Sequence, residues 1–427
     1  MVKINSKIDH RVNFYKIATK IYKDVDYPNV PIPVYAMFYV VMSQYFKNIK
    51  INFGGELRSL RFSFFHISST RTGKGQLCKA AEMVAKELGI STATETDLTD
   101  AGLLGSIDEK AIDYNYKNKK EPGDEGYKDP IIYGDLFNYD IIFFKEVKKL
   151  LVPTSNTAMM LSIFQEALDE PGYIRKKLKC KFPIEGEVTS SIVATTYYMP
   201  EIEKTLLEQG FFMRVPLYCR TFTIDEIKGL RDGVVDLFRE TSRKVVERDI
   251  KEYCKEIKEI KNSGYNLFLD DSAVGKLKDL NNHFYKLMKG TAGSKLEILK
   301  GLSQTVIDLS IKIGGIHACL EESKLITDKH MIPATIFVRS CVDTILNRID
   351  ITDTQASKEF DIYIRLFRKL ETNTPEISKE GFIHELKLKG IGRNRAIKSI
   401  QKMIDKNYFK VVKGDRNTQL LKLNEGV

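Results

Sequence analysis

The sequence has few of the residues that staple small folds together. Six cysteines are scattered through 427 residues without a C-x-x-C pair, and there are only six histidines. This pattern argues against a zinc site, which needs closely spaced ligands, and favours reduced thiols over a disulfide framework. We therefore expect the cysteines to be reduced thiols with a structural role.

The sequence also lacks the features of membrane and repeat proteins. The apolar stretch 34–46 is interrupted and falls short of the roughly 20 residues that a membrane-spanning helix needs. No basic and then apolar signal pattern begins the chain, and no period of a few tens of residues repeats. These absences predict a cytoplasmic protein without a membrane partner and exclude solenoids and propellers.

The charge balance favours an acidic partner. Lysine and arginine exceed aspartate and glutamate, which leaves a net charge of +10 and a pI near 9.0. Nucleic acid is the commonest partner of such a protein. The length allows two or three domains, each large enough for its own core.

A glycine-containing loop follows a short aromatic strand predicted at 61–68 and precedes a helix predicted at 76–88. In such a loop, backbone N–H groups and the helix dipole hold phosphates, while a lysine ammonium neutralises the outer ones. Lys74 has that role here. The predicted nucleotide-binding residues are Ser69, Thr70, Arg71, Thr72, Gly73, Lys74, Gly75 and Gln76.

The loop departs from the pattern G-x-x-x-x-G-K-[ST] at two positions. Ser68 replaces the first glycine, and Gly75 stands where a hydroxyl group would bind Mg²⁺. The second difference matters more, because the side-chain hydroxyl that would bind the metal is missing. An ordinary strand-to-helix turn rich in small residues is the alternative interpretation.

A second apolar strand, predicted at 139–144, is followed by an acidic residue. Glu146 is positioned to orient and activate water, whereas Lys145 stands where an aspartate would organise the metal. Asp135 and Asp140 are nearby carboxylates that could substitute. The alternative is a protein that binds nucleotide and turns it over poorly.

A third strand, predicted at 189–196, ends in hydroxyl groups. Thr195 or Thr196 could sense the γ-phosphate, and Arg214 is a candidate arginine finger that reaches the nucleotide of a neighbouring subunit. The alternative for Arg214 is a surface salt bridge. The alternation of strands and helices predicts an α/β fold with a mostly parallel sheet.

Three further segments have simpler patterns. Loop signals dominate from 91 to 130, and nearly all of 224–349 has a helical period. A basic hairpin-like segment at 172–181 could neutralise nucleic-acid phosphates, or could be a solvated strand. Its candidate DNA-binding residues are Arg175, Lys176, Lys177 and Lys179.

The end of the chain has the pattern helix, turn, helix and hairpin, which predicts a winged helix-turn-helix. A winged helix binds either DNA or protein. The predicted DNA-binding residues are Arg393, Arg395, Lys398 and Lys402 on the second helix and Lys413 on the wing.

In motif order, the loop STRTGKG, the strand IIFFKE and the segment ATTYYMPEIEKTLLEQGFFMR resemble one group of proteins. These are the phage- and plasmid-encoded helicase-like ATPases, often associated with a primase, whose cores are phosphate-loop NTPases of the RecA or AAA+ type. The resemblance implies that Lys74 holds the β- and γ-phosphates, Glu146 is the catalytic carboxylate, Thr195 or Thr196 the sensor and Arg214 the finger. It also implies a ring, often a hexamer.

These observations together predict four segments. They are a helical lead-in at 1–50, a phosphate-loop NTPase core at 51–225, a helical domain at 226–372 and a winged helix at 373–427. The expected function is an ATP-dependent DNA helicase or translocase with ATP and Mg²⁺ as cofactors, acting on single-stranded or duplex DNA. The alternative is a non-motor replication initiator or loader whose degenerate nucleotide site controls assembly.

Overall fold

The computed structural model describes most of the chain. The described residues are 9–21, 31–68, 72–95, 100–147, 157–169, 172–177, 183–197, 214–220, 228, 240–291, 294–372, 377–405, 408–414 and 418–423. In this part of the chain, no helix is long and apolar enough to cross a membrane.

The helices are α1 (His10–Ile21), α2 (Ile32–Tyr45), α3 (Lys74–Glu87), α4 (Asp100–Leu104), α5 (Glu109–Lys117), α6 (Asp135–Asn138), α7 (Thr157–Leu168), α8 (Glu240–Lys258), α9 (Asp271–Lys289), α10 (Ser294–Leu320), α11 (Asp328–Glu371), α12 (Lys379–Leu388) and α13 (Arg393–Asp405). The strands are β1 (Lys50–Phe53), β2 (Glu56–Ser59), β3 (Phe64–Ser68), β4 (Thr92–Glu95), β5 (Gly105–Ile107), β6 (Ile131–Tyr133), β7 (Ile141–Phe144), β8 (Gly172–Lys177), β9 (Pro183–Val188), β10 (Ser191–Tyr197), β11 (Leu217–Arg220), β12 (Asn266–Leu269), β13 (Leu325–Ile326), β14 (Ile377–Ser378), β15 (Phe409–Lys413) and β16 (Gln419–Leu423).

A five-stranded sheet with the order β11-β3-β10-β7-β4 forms the centre of the larger part of the chain. Every neighbouring pair in it is parallel. The α/β class and the parallel sheet predicted from sequence are thereby confirmed, and the sheet is compatible with a phosphate-loop core. Strands β3 and β7 are buried along their whole length. Burial along the whole length is typical of parallel strands that are covered on both faces.

Helix α7 covers one face of this sheet through an aromatic contact. Phe65, Ala194 and Phe144 lie side by side on three neighbouring strands. The ring of Phe164 in α7 lies 5.7 Å from that of Phe65 and 5.3 Å from that of Phe144, centre to centre. The small Ala194 side chain between the two phenylalanines leaves room for the third ring, as close packing of a core requires.

Helix α2 is apolar on all sides and packs against α1, α3 and strands β3, β7 and β10. A helix without a polar face is stable only when it is buried. At its end, the Gln44 side-chain amide donates to Ser191 Oγ at 2.8 Å and to the Thr189 carbonyl at 2.9 Å. The predicted lead-in helix is therefore part of the sheet's own core.

Two predictions of local structure were wrong. The segment 91–130, predicted as loop, contains β4, α4, β5 and α5. Strand β4 is short and polar, and it forms by parallel pairing with β7, which local sequence does not reveal. The helical segment 224–349 also contains β12 and β13, which pair with each other and, through β12, with the distant β1.

By its internal contacts, the chain divides into two compact units. The first comprises 1–277 and 305–342, and the second 278–304 and 343–427. The first holds the parallel sheet and a four-stranded sheet of order β13-β12-β1-β2. The second holds an antiparallel sheet of order β14-β16-β15, whose core includes the mutually packed rings of Phe367, Phe382 and Phe409.

A buried arginine holds several segments of the first unit together. Arg61 is only 7% exposed. Its guanidinium donates to the carbonyls of Ala167 at 2.9 Å and Val188 at 2.5 Å, and also to that of Asp169. These carbonyls end α7 and β9, so one side chain satisfies acceptors that would otherwise be buried without partners.

We predict that Arg61→Met destabilises the protein by about 2–5 kcal/mol, because it leaves buried carbonyls without donors. The control is Arg58→Met, since Arg58 forms partly exposed ion pairs with Glu56 and Asp308 and lies over the ring of Phe53, 4.4 Å from its centre. The control should cost at most about 1 kcal/mol. Urea unfolding followed by circular dichroism measures both, and equal losses would show that Arg61 has no special role.

Candidate functional site

Three neighbouring strands, β3, β10 and β7, end at the same edge of the parallel sheet. Strand β10 lies between the other two, with Thr196 opposite Ile67 and Ala194 opposite Phe144. Ligands of open parallel sheets bind outside the carboxyl ends of the strands. The residues that end these strands therefore form the first candidate site.

In the described part of the turn between β3 and α3, a buried threonine and a glycine directly precede the helix. Gly73 has a φ of 76° directly before α3, in the left-handed region where glycine is favoured. Thr72 is buried, and its hydroxyl lies 2.7 Å from that of Ser68. The start of a long helix presents backbone N–H groups and a positive dipole end to an anion. Ser69, Thr70 and Arg71 lie outside the described residues.

Lys74 is held over the end of β3. Its ammonium donates to the Ser68 carbonyl at 3.0 Å and contacts Ser68 Oγ at 3.3 Å. Burial lowers the pKa of Lys74 to about 8, and the negative charge of Glu146 partly opposes this shift. At pH 7 the ammonium is still mostly charged, and a bound phosphate would stabilise that form further.

Glu146 and Thr196 meet at the same edge. The Thr196 hydroxyl, which is 1% exposed, donates to Glu146 Oε1 at 2.8 Å. Thr195 instead donates to the Lys145 carbonyl at 2.7 Å and ties the ends of β10 and β7 together. Of the two predicted sensor residues, Thr196 is the one that contacts the predicted catalytic carboxylate.

The two unusual residues of the sequence, Gly75 and Lys145, lie at this edge as well. Gly75 is exposed in the first turn of α3, and a Cβ added to it would meet nothing within 4 Å. Lys145 is exposed at the end of β7. Burial raises the pKa of the Cys78 thiol in α3 to about 12, while the charges of Lys145 and Lys74 both act in the opposite direction. The positive charges of both lysines therefore affect the same residue of α3.

Asp140 does not belong to this site, and the suggestion that it could substitute for a metal ligand was wrong. It precedes β7, at the amino edge of the sheet. Burial raises its pKa, but bonds from Lys47 at 2.6 Å and Ser91 Oγ at 2.8 Å outweigh that effect and lower it. Asp135 begins α6, which also lies near the amino edge, since Ser190 before β10 donates to the Leu136 carbonyl at 2.9 Å.

Arg214 also lies at the amino edge, away from Lys74 of the same chain. It precedes β11, whose start is marked by a bond from the Phe65 amide to the Pro216 carbonyl at 3.1 Å. Its Nε donates to Asp169 Oδ1 at 2.7 Å, and both side chains are partly exposed. The structure thus shows the surface ion pair that was the alternative interpretation, and it brings Arg214 into no site with Glu146.

Sequence reasoning missed His66, which is completely buried in β3 two residues before Ser68. Neither ring nitrogen has a hydrogen-bond partner among the described residues, and the ring packs edge-on against Tyr218 at 5.1 Å. Burial, and secondly the charge of Lys74, lower its pKa to about 3. The signal in the sequence was a titratable residue inside the apolar run of a predicted buried strand.

The basic segment forms an antiparallel hairpin, β8–β9. Arg175 is exposed and lies 3.0 Å from Glu185 of the opposite strand, so its charge is partly balanced. Lys179 and the side chains of Lys176 and Lys177 lie outside the described residues. The hairpin was correctly predicted, and its DNA contacts stay a prediction.

The predicted DNA-binding residues of the second unit lie on its surface. Lys398 and Lys402 are exposed on α13, and Lys413 is exposed on β15. Arg393 forms an exposed ion pair with Glu380 at 3.2 Å. The side chain of Arg395 lies outside the described residues. The described residues among these candidates are therefore accessible positive charges.

No protein-family model and no curated protein sequence matches the chain.

We predict that His66 makes the protein less stable in acid. The unfolded histidine binds a proton near pH 6.5 and the buried one only near pH 3, so stability falls as the pH falls between these values. The contribution of one such residue is about 1.4 kcal/mol per pH unit. His66→Phe should reduce the pH dependence of the free energy of unfolding by this amount. The control His384→Phe, which changes an exposed residue, should not. The measurement is urea unfolding at several pH values between 4 and 7.5. If the free energy of unfolding changes with pH as steeply in both variants as in the wild type, the prediction is contradicted.

Proposed function

We propose that the chain is an ATP-dependent DNA helicase or translocase of phage or plasmid replication. One observation carries this proposal: Lys74, Thr196 and Glu146 converge at the carboxyl edge of an all-parallel sheet, beside the start of a helix. This is the set of groups that nucleotide hydrolysis needs. It supports the RecA or AAA+ type of core that the sequence motifs resemble.

Each group has a distinct task in the proposed reaction. The N–H groups of α3 and the Lys74 ammonium bind the phosphates of ATP and balance the charge that develops on the γ-phosphate. Glu146 accepts a proton from the water that attacks the γ-phosphorus, so that the bond to the leaving β-γ oxygen breaks and ADP and phosphate form. Thr196 donates to Glu146 and keeps one carboxylate oxygen oriented.

Arg214 acts, in this proposal, on the nucleotide of a neighbouring subunit in a ring, which the family resemblance implies is often a hexamer. Its place at the amino edge supports a role between subunits, because it is far along the strands from Lys74 of its own chain. Its partner Asp169 is half-exposed, so the ion pair can be exchanged for a stronger one with phosphate.

The second unit is proposed to be a winged helix that binds DNA. The order α11, β14, α12, α13, β15 and β16, with β16 between the other two strands, supports this interpretation. Helix α13 would contact the groove or the phosphates with Arg393, Lys398 and Lys402. Lys410 and Lys422 lie opposite each other on β15 and β16. An anionic partner would reduce the repulsion between these two like charges.

A second candidate function is a non-motor initiator or loader, in which bound nucleotide controls assembly. It is favoured by Gly75 and Lys145, the two residues that replace the expected partners of the metal. A recruiting partner such as a primase fits either function.

We expect Lys74→Ala to lower ATP affinity by about tenfold or more and to abolish ATP hydrolysis stimulated by single-stranded DNA. The control is Lys79→Ala, because Lys79 is an exposed lysine of the same helix. Hydrolysis is measured by phosphate release with and without single-stranded DNA. Binding that depends on Lys74 without any turnover would favour the initiator or loader. Turnover that survives the loss of Lys74 would refute the proposed site.

We expect the double variant Lys398→Ala/Lys402→Ala to weaken duplex binding and to reduce the slope of log affinity against log salt by about 2, because two phosphate contacts are lost. The matched control is Lys286→Ala/Lys289→Ala, two exposed lysines on α9 of the same unit. Fluorescence anisotropy with a labelled duplex at several salt concentrations measures both. Equal behaviour of the two variants would mean that α13 does not contact DNA.

A further inference from the structure

The magnesium ion that the family resemblance implies does not fit the residues at the edge of this sheet. Position 75 has no side-chain oxygen, and position 145 has an ammonium where a carboxylate would organise the ion. In the described part of the chain, no group of three or more His, Cys, Asp or Glu residues could hold a metal. Asp140, the carboxylate suggested as a substitute, lies at the opposite edge.

We propose that this site binds the triphosphate of ATP without a divalent metal, with the Lys145 ammonium in the electrostatic role that the metal usually has. The inference rests on the proposed nucleotide site. It names the form of the ligand, which is free ATP rather than a metal complex of ATP.

Two lysines bring positive charge to this edge of the sheet. Lys74 is the first residue of α3, and Lys145 directly follows β7 and is exposed. The charges of both lysines also favour the thiolate form of Cys78 in α3 and so oppose the effect of burial on its pKa. Together with the positive end of the helix dipole, they match a metal-free triphosphate, which carries three to four negative charges. A divalent cation added to the same place would be repelled by both ammonium groups.

Most groups that serve the phosphates and the water are present. Gly73, Lys74, Thr196 and Glu146 have the residue types and contacts that phosphate binding and water activation need. Apart from Ser68, which replaces the first glycine of the loop, the departures at positions 75 and 145 both affect groups that serve the metal. They therefore alter one function of the site in a matched way.

Glycine is not required at position 75 by its described surroundings. The backbone there does not have a positive φ, and a Cβ would meet no atom of the described residues within 4 Å. Neither strain nor crowding requires glycine, so the missing hydroxyl is not imposed by packing. For the same reason Gly75→Ser is expected to fold, and Lys145→Asp changes an exposed side chain.

The test is the affinity of the full chain for ATP, measured by isothermal titration calorimetry in EDTA and in excess MgCl₂. We expect the wild-type affinity in EDTA to be at least as high as in MgCl₂. Lys145→Ala should lower the affinity in EDTA by about tenfold, whereas Lys79→Ala should not. The variant Gly75→Ser/Lys145→Asp should bind poorly in EDTA and regain affinity when MgCl₂ is added.

Two outcomes would overturn the inference, and they differ from failure of the proposed function. Wild-type binding that occurs only with MgCl₂ would show that the metal is bound after all, and the nucleotide site would stand. A Lys145→Ala variant that binds like the wild type in EDTA would remove the role of Lys145. Absence of ATP binding under both conditions would refute the nucleotide site itself.

Discussion

The parallel pairing of β3, β10 and β7 is the constraint on which the rest of the candidate site depends. Because the three strands run in the same direction, the residues that end them meet at one edge although they are far apart in sequence. The small Ala194 between two phenylalanines fixes the face that α7 covers. The burial of whole strands then supplies the rigid base from which Lys74, Thr196 and Glu146 project.

The same pairing separates two sets of charged residues. The carboxyl edge carries the groups suited to phosphate, whereas the amino edge carries Arg214 and the buried Arg61. This division places the groups proposed to bind nucleotide and the Arg214–Asp169 ion pair at opposite edges of the sheet. It also explains why a carboxylate near Glu146 in sequence, Asp140, takes no part, since a strand of four residues puts its two ends at opposite edges.

Electrostatics at the carboxyl edge is unusual for a nucleotide site. Burial lowers the pKa of Lys74, and the negative charge of Glu146 partly opposes this shift. His66 stays neutral beneath this site, because a charge there would be buried and would face Lys74. With Lys145 at the end of β7, the positive charge of the site comes from side chains and the start of α3, which is the basis of the proposed metal-free mode of binding.

The sequence by itself determined the α/β class, the turn from β3 to α3 and the candidate roles of Lys74 and Glu146, because these depend on local runs of residues and on the spacing around one glycine. Only the tertiary structure showed that Thr196 and not Thr195 contacts Glu146, placed Asp140 at the opposite edge and revealed β4, β12 and His66. Each of these depends on pairing between distant segments. Propensity and periodicity describe neighbours along the chain, and the side chains that meet across a sheet are decided by strand order and register.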